Sequence, residues 1–416
     1  MSGIADGTLT VKTQLNNETS LFFNKNPKPA ILGDTPVYST HLPFMRPTLP
    51  TWANLNASIQ EIITSGILTK GHYLEVFEEQ VAKYLGVKHA IAVSSCTSGL
   101  MLVYQGLGLA GEVLVPSFTF MATVHPLVWQ GVTPVFIDID PLTWNINPAQ
   151  IEAYITSRTT AIVAVHLFGN PAAIETLEAI ANRHRLALIF DAAHGFGALH
   201  RHAPLGNHGI AEVFSTSPTK LLVTGEGGVV TTNDDTLAQQ IRIGREYGNP
   251  GTYDSLFAGL NARMQEFSAI LGLYSLKMLE ENARQRNVLA ACYKKHLIPI
   301  PGITFQTIHP YNRSSFKDFT VHLDATQFGL NRDELKVALA EEGISTRPYY
   351  VPPVHQHVAY QTLGHQQPHL PVTESVAQAV LSLPIYSHMD TECVGKVCQA
   401  ISRIHQYARQ IQAILN

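Results

Sequence analysis

A lysine amine and a buried carboxylate are the parts from which carbonyl–amine exchange is built. Both stand in the segment 187–228, ALIFDAAHGFGALHRHAPLGNHGIAEVFSTSPTKLLVTGEGG. Asp191 closes a short apolar run, and open α/β sheets present ligand-binding groups at the ends of such strands. A carboxylate there needs a partner, because an unpaired buried charge is costly. Lys220 lies in the polar turn SPTK ahead of the glycine-rich GEGG. Desolvation beside tight turns lowers a lysine's pKa and frees its amine for Schiff-base chemistry. Taken singly, each residue has a plainer reading: a helix-capping aspartate and a solvated surface lysine.

Two further segments add what such chemistry requires. VSSCTSGL (93–100) follows an apolar run and opens a helical pattern. Small hydroxyl residues and free backbone N–H groups at a helix start make a phosphate site. In VPSFTFMAT (115–123), Phe118 or Phe120 lies just past a strand end, where a ring can stack on a planar cofactor. A lysine amine, a buried acid, a phosphate cradle and a stacking ring are together the requirements of pyridoxal phosphate. The histidines do not suggest a metal. His200, His202 and His208 in HRHAPLGNH, and His355 with His357, lack acidic or thiolate ligands at typical spacing. With 19 histidines in the chain, such near-pairs arise by chance.

The elements that must hold these residues follow from periodicity. Apolar runs at 89–93, 112–116, 134–138, 161–166, 187–191, 211–215 and 227–232 alternate poorly between apolar and polar, as strands buried on both faces do. Helical stretches separate them, which implies an α/β fold: a mostly parallel seven-stranded sheet between helices. A long helical pattern covers about 264–297, and the character changes after Pro301-Gly302 to a strand–helix mixture. The expected organisation is an N-terminal tail or arm (1–45), a large domain (46–290) and a smaller α+β C-terminal domain (291–416).

Composition bounds the function. The chain has 416 residues, 45% hydrophobic and only 14% charged, which points to two domains and extensive buried surface. Its 28 basic and 32 acidic residues leave a net charge of −4 without long blocks, so neither nucleic acid nor an anionic membrane is an expected partner. Cys96, Cys292, Cys393 and Cys398 form no CxxC pair, which argues against a disulfide framework and for a reducing compartment. The N-terminus lacks a basic start followed by an apolar run, and prolines or hydroxyl residues interrupt the longest uncharged stretches. A cytoplasmic protein is expected.

Over residues 48 to 405 the sequence resembles the DegT-type sugar aminotransferases, which are fold-type-I pyridoxal-phosphate enzymes. The resemblance rests on LTKGHYLEVFEEQVAKYLGVKHAIAVSS, EVLVPSFTFMAT, PVFIDID, AIVAVHLFGNPA, FDAAHGFGA, FSTSPTK, GEGGVVTTND and GLNARMQEFSA, with RPYYVPPVH and LSLPIY further on. It implies that Lys220 binds the cofactor covalently and shuttles a proton. Asp191 would keep the pyridine nitrogen protonated, and His194 would contact the ring hydroxyl. Phe120, rather than Phe118, resembles the stacking aromatic. Thr97 and Ser98 match the phosphate-cradling turn, and Ser215 a hydroxyl that adds to it. Asn261 is similar to an asparagine that reaches the phosphate from a partner subunit, which implies at least a homodimer. Cys96 stands where the family often has glycine or alanine, and Phe190 replaces a common glutamate. Lys220 argues against the dehydratase branch, which carries histidine there.

The resemblance therefore implies an aminotransferase that moves an amino group from glutamate or glutamine to a keto-sugar, most often a nucleotide-linked keto-deoxyhexose. Two alternatives stand beside it. One is amination of a cyclic ketone such as an inosose, and the other is a regulator that keeps the cofactor site without turnover.

Overall fold

The computed structural model describes residues 27–361 and 369–415. Residues 1–26 of the expected arm lie outside the described residues. In chain order the strands are β1 His89–Val93, β2 Glu112–Pro116, β3 Thr133–Ile137, β4 Thr159–Val165, β5 Ala187–Asp191, β6 Leu199–His200, β7 Ala203–Pro204, β8 Ala211–Ser215, β9 Gly228–Thr232, β10 Ile303–Phe305, β11 Phe319–Leu323 and β12 Val380–Leu383. Seven of them form one sheet in the order β1-β9-β8-β5-β4-β2-β3. The run from β3 to β8 is parallel, and β9 lies antiparallel between β8 and β1. Two reversals restore direction, so β1 points the same way as β5 and β8. The starts of the loops after all three strands therefore share one edge of the sheet.

The sheet is covered on both faces, which is why every residue of β2 and β8 is buried. The helix His72–Leu85 shows how sequence sets this cover. Leu74, Phe77, Val81 and Leu85 recur at helical spacing and are its buried residues. Gly86, in the left-handed region at φ 69°, ends the helix where a side chain would be strained. Among the described residues no helix is long and apolar enough to cross a membrane.

A second core surrounds the antiparallel sheet β10-β11-β12. The helix Glu266–Leu297 serves both units: Leu279 and Ala283 pack in the first core, and Leu289, Tyr293 and Leu297 in the second. The boundary expected at 290/291 thus falls inside one continuous helix, because no breaker interrupts it. Residues 27–45 lie on the second core. Leu42 is buried there, and its N–H donates to the Gly343 carbonyl at 2.8 Å. The chain also crosses back, since Val354, Tyr360 and Leu370 join the cluster on one face of the large sheet.

Candidate active site

Asp191 ends β5 and is 4% exposed. Thr123 Oγ1 donates to its Oδ2 at 2.6 Å, and the Ala193 N–H donates to Oδ1 at 3.0 Å. The Thr123 hydroxyl lies 2.7 Å from that of Thr119, so a short hydroxyl relay from the loop after β2 orients the carboxylate. Burial pushes the Asp191 carboxyl up, while these hydrogen bonds and the charges of Lys220 and His166 pull it back. The acid is held in place with capacity left for a further hydrogen-bonded cation.

Lys220 lies in the turn after β8, its N–H donating to the Ser217 carbonyl at 3.0 Å. Its amine falls to a pKa of about 8, first through burial and then through the nearby charge of Lys317, with Asp318, Cys96 and Asp191 opposing. Among the described residues its side chain makes no hydrogen bond or ion pair. Of the glycines beside it, Gly225 takes a left-handed backbone at φ 84°, whereas a Cβ on Gly228 would come within 2.6 Å of the Cys96 nitrogen. Only glycine lets β9 run this close to the start of the helix that follows β1.

That helix, Cys96–Gly106, is capped by Ser95, whose side chain accepts from the Ser98 N–H at 3.0 Å. The Ser98 hydroxyl is spent within the same cap, accepting from the Ser95 N–H at 3.0 Å and donating to the Ser95 carbonyl at 2.8 Å. Thr97 keeps an uncommitted hydroxyl among the described residues. Together with the first helical N–H groups it forms an anion cradle. Ser215, 8% exposed, ends β8. Asn261 is exposed, on a segment whose next residue, Ala262, accepts from the Ser94 N–H at 2.8 Å.

The two candidate rings part company. Phe118 is 1% exposed and meets Phe168 and Tyr350 edge-on, whereas Phe120 is 51% exposed on the same loop. His194 is buried, and the Phe168 N–H donates to its Nδ1 at 3.1 Å. Burial and the charges of Lys220 and Lys317 hold this imidazole neutral, well below its usual range. Its proton therefore sits on Nε2, which is left as a donor.

Sequence reasoning missed Thr123 and the pair Lys317–Asp318. Lys317 Nζ is 2.9 Å from both Asp318 carboxylate oxygens, and the two residues are 6% and 3% exposed. The adjacent KD in SSFKDF was the available signal, since a charged pair amid apolar residues and hydroxyls is unusual. Among the described residues no group of three His, Cys, Asp or Glu is placed to hold a metal ion. His200 bonds Glu175 at 2.9 Å and His355 bonds Ser117 at 2.6 Å.

These residues fit pyridoxal phosphate. An unpartnered amine of lowered pKa, a fixed acid, a neutral imidazole donor and an anion cradle sit at one sheet edge, and each matches a different part of that group.

The sequence model of the DegT/DnrJ/EryC1/StrS aminotransferase family matches residues 52–402. The erythromycin biosynthesis sensory transduction protein EryC1 of Saccharopolyspora erythraea is 37% identical over 83% of this chain and 93% of that protein. The dTDP-3-amino-3,4,6-trideoxy-alpha-D-glucose transaminase of Streptomyces venezuelae is 35% identical over 84% of this chain and 91% of its own length. The crystal structure of DesI in the presence of its TDP-sugar product superposes with a TM-score of 0.88 at 36% identity, covering 93% of this chain and 98% of that one.

Proposed function

The chain belongs to the DegT/DnrJ/EryC1/StrS aminotransferase family, and on that premise we propose that it uses pyridoxal phosphate to aminate a nucleotide-linked keto-sugar with glutamate or glutamine as donor. The observation that carries this reading is the meeting of Lys220 and Asp191 at one sheet edge, the lysine unpaired and lowered to about 8. The named activity of the Streptomyces venezuelae relative and the TDP-sugar product named for DesI support the acceptor class.

When bound, the cofactor supplies an aldehyde carbon for amines and a ring that takes up electrons. Lys220 Nζ would hold it, and, once displaced by the incoming amine, would move the proton at the amino-bearing carbon. Asp191 would keep the pyridine nitrogen protonated. His194 Nε2–H would donate to the ring oxygen, and Phe120 would lie against the ring. Thr97 and the capped turn that Ser98 stabilises would cradle the phosphate, with Ser215 beside them. Asn261, exposed on a tethered segment, would reach the phosphate in a second copy of the chain, which makes a homodimer the working unit.

Visible absorbance of the purified protein beside Lys220→Ala tests the reading. A band that bleaches with glutamate in the wild type, and is missing or altered in the variant, supports cofactor, lysine and donor. Acceptors tried side by side, a nucleotide-linked 4-keto or 3-keto deoxyhexose against an inosose, then decide the substrate. A band indifferent to amino donors would favour a regulatory protein; the erythromycin relative is named a sensory transduction protein. No band after incubation with pyridoxal phosphate would overturn the reading.

A further inference from the structure

A cation buried beside an imidazole and a second amine is costly unless anions meet it. Lys317 is that cation. It stands just before β11, on the smaller unit, yet its ammonium acts on Lys220 and His194 of the larger one. Three hydrogen bonds hold this stretch against the site: the Ser315 hydroxyl donates to the His194 carbonyl at 2.7 Å, the Ser315 N–H to the Gly169 carbonyl at 3.2 Å, and the Lys317 N–H to the Phe168 carbonyl at 3.1 Å. A Cβ on Gly169 would collide with the Ser315 side chain, so the approach is built in. Behind it, the buried Arg286 guanidinium donates to the carbonyls of Phe316 and Lys317 at 3.1 and 2.9 Å.

The ammonium has three N–H donors. Two fit the Asp318 carboxylate at 2.9 Å each, and the Tyr349 ring lies 5.3 Å from the nitrogen. One donor is left without a hydrogen bond among the described residues. The neighbouring Arg347 is exposed; it lies over Phe44 and hydrogen-bonds the Tyr349 side chain.

We propose that Lys317 is the residue that binds the α-carboxylate of the amino-acid donor, with Asp318 holding its ammonium in place between turnovers. The inference rests on the aminotransferase reading. Position selects the donor over the acceptor. An α-carboxylate is attached directly to the carbon whose proton Lys220 handles, so its cation must lie beside Lys220. The diphosphate of a nucleotide-linked sugar is separated from its ketone carbon by the sugar ring, so its cations lie further out. Lys317 binds the donor as an amino acid, and a keto-deoxyhexose acceptor carries no carboxylate for it to meet.

The test compares the cofactor-loaded wild type with Lys317→Gln/Asp318→Asn, which removes both charges of the pair together, and with Lys317→Arg. Maleate, an unreactive dicarboxylate, is titrated while the cofactor's absorbance and the protein's fluorescence are followed, and bleaching by glutamate is measured separately. The neutral double variant is expected to bind maleate about 10- to 100-fold more weakly, as loss of a charge-assisted hydrogen bond implies, and to need correspondingly more glutamate for half-bleaching. Bleaching by benzylamine, which has no carboxylate, should be altered far less than bleaching by glutamate, and Lys317→Arg should recover maleate binding in part. If the double variant loads cofactor yet keeps the wild-type midpoints for maleate and glutamate, or loses affinity only for the nucleotide-linked sugar, the proposal is overturned. A wild type that never bleaches with glutamate would instead overturn the aminotransferase reading.

Discussion

The chemistry of single residues here is set by what surrounds them. Lys220 and an ordinary surface lysine share a side chain, yet the site lowers this amine from 10.5 to about 8. Burial is the main cause and Lys317 adds repulsion, so the folded protein sheds a proton that the unfolded chain keeps up to higher pH. The linkage sign follows. Between pH 8 and 10.5 the unfolded state binds more protons at this position, so the lysine's contribution to stability becomes more favourable as pH rises through that window. The amine also becomes a nucleophile earlier. Capture of pyridoxal phosphate by the cofactor-free protein, followed by visible absorbance, should accelerate with pH and level off above about pH 8. A rate still climbing steeply at about pH 10 would show that the site does not depress this amine.

At the scale of elements, the helix Cys96–Gly106 separates holding a shape from holding a ligand. Ser95 and Ser98 satisfy each other's N–H groups across the cap, while Thr97 between them has no such duty. Ser95→Ala should therefore cost about 1 kcal/mol of stability, seen as a lower urea midpoint. Thr97→Val should leave the midpoint in place and weaken pyridoxal phosphate binding about 10-fold, measured by fluorescence quenching. Equal effects of the two changes on both quantities would refute this division. The close approach at Gly228 belongs to the same element pair. GEGG reads from sequence as a turn beside the lysine, but its last glycine seats β9 against the helix start.

In the whole molecule, the buried Arg286 joins the two units. It lies where the long helix passes from one core to the other and donates to Ser387 Oγ at 3.2 Å as well as to the carbonyls of residues 316 and 317. Burial lowers even this guanidinium to about 10, with Asp318 opposing. Arg286→Met would fill much of the space but orphan the buried Lys317 carbonyl and the partly buried Phe316 carbonyl. The expected cost is about 2–4 kcal/mol, checked by chemical denaturation. An unchanged midpoint would mean that the small unit docks without it.

Much of this architecture is legible in the sequence. Seven apolar runs bounded by turns mark the seven strands, because strands buried on both faces cannot hide their composition. Asp191, Thr97 and Phe120 stand out because a strand end or a helix start is a local event, written in adjacent residues. Directions and meetings are not local. That β9 runs antiparallel, returning β1 to the common edge, depends on how the chain comes back from the loop after Lys220. That Phe118 is core while Phe120 is half exposed depends on Phe168 arriving from another part of the chain, Tyr350 touching both rings. The unbroken helix Glu266–Leu297, the seat of residues 27–45 on the second core, and the presence of Lys317 beside Lys220 have the same origin. Periodicity and turn chemistry act over a few residues and determine the elements. Which residues meet across the long intervals between them is decided only when both cores close and every apolar face finds a partner.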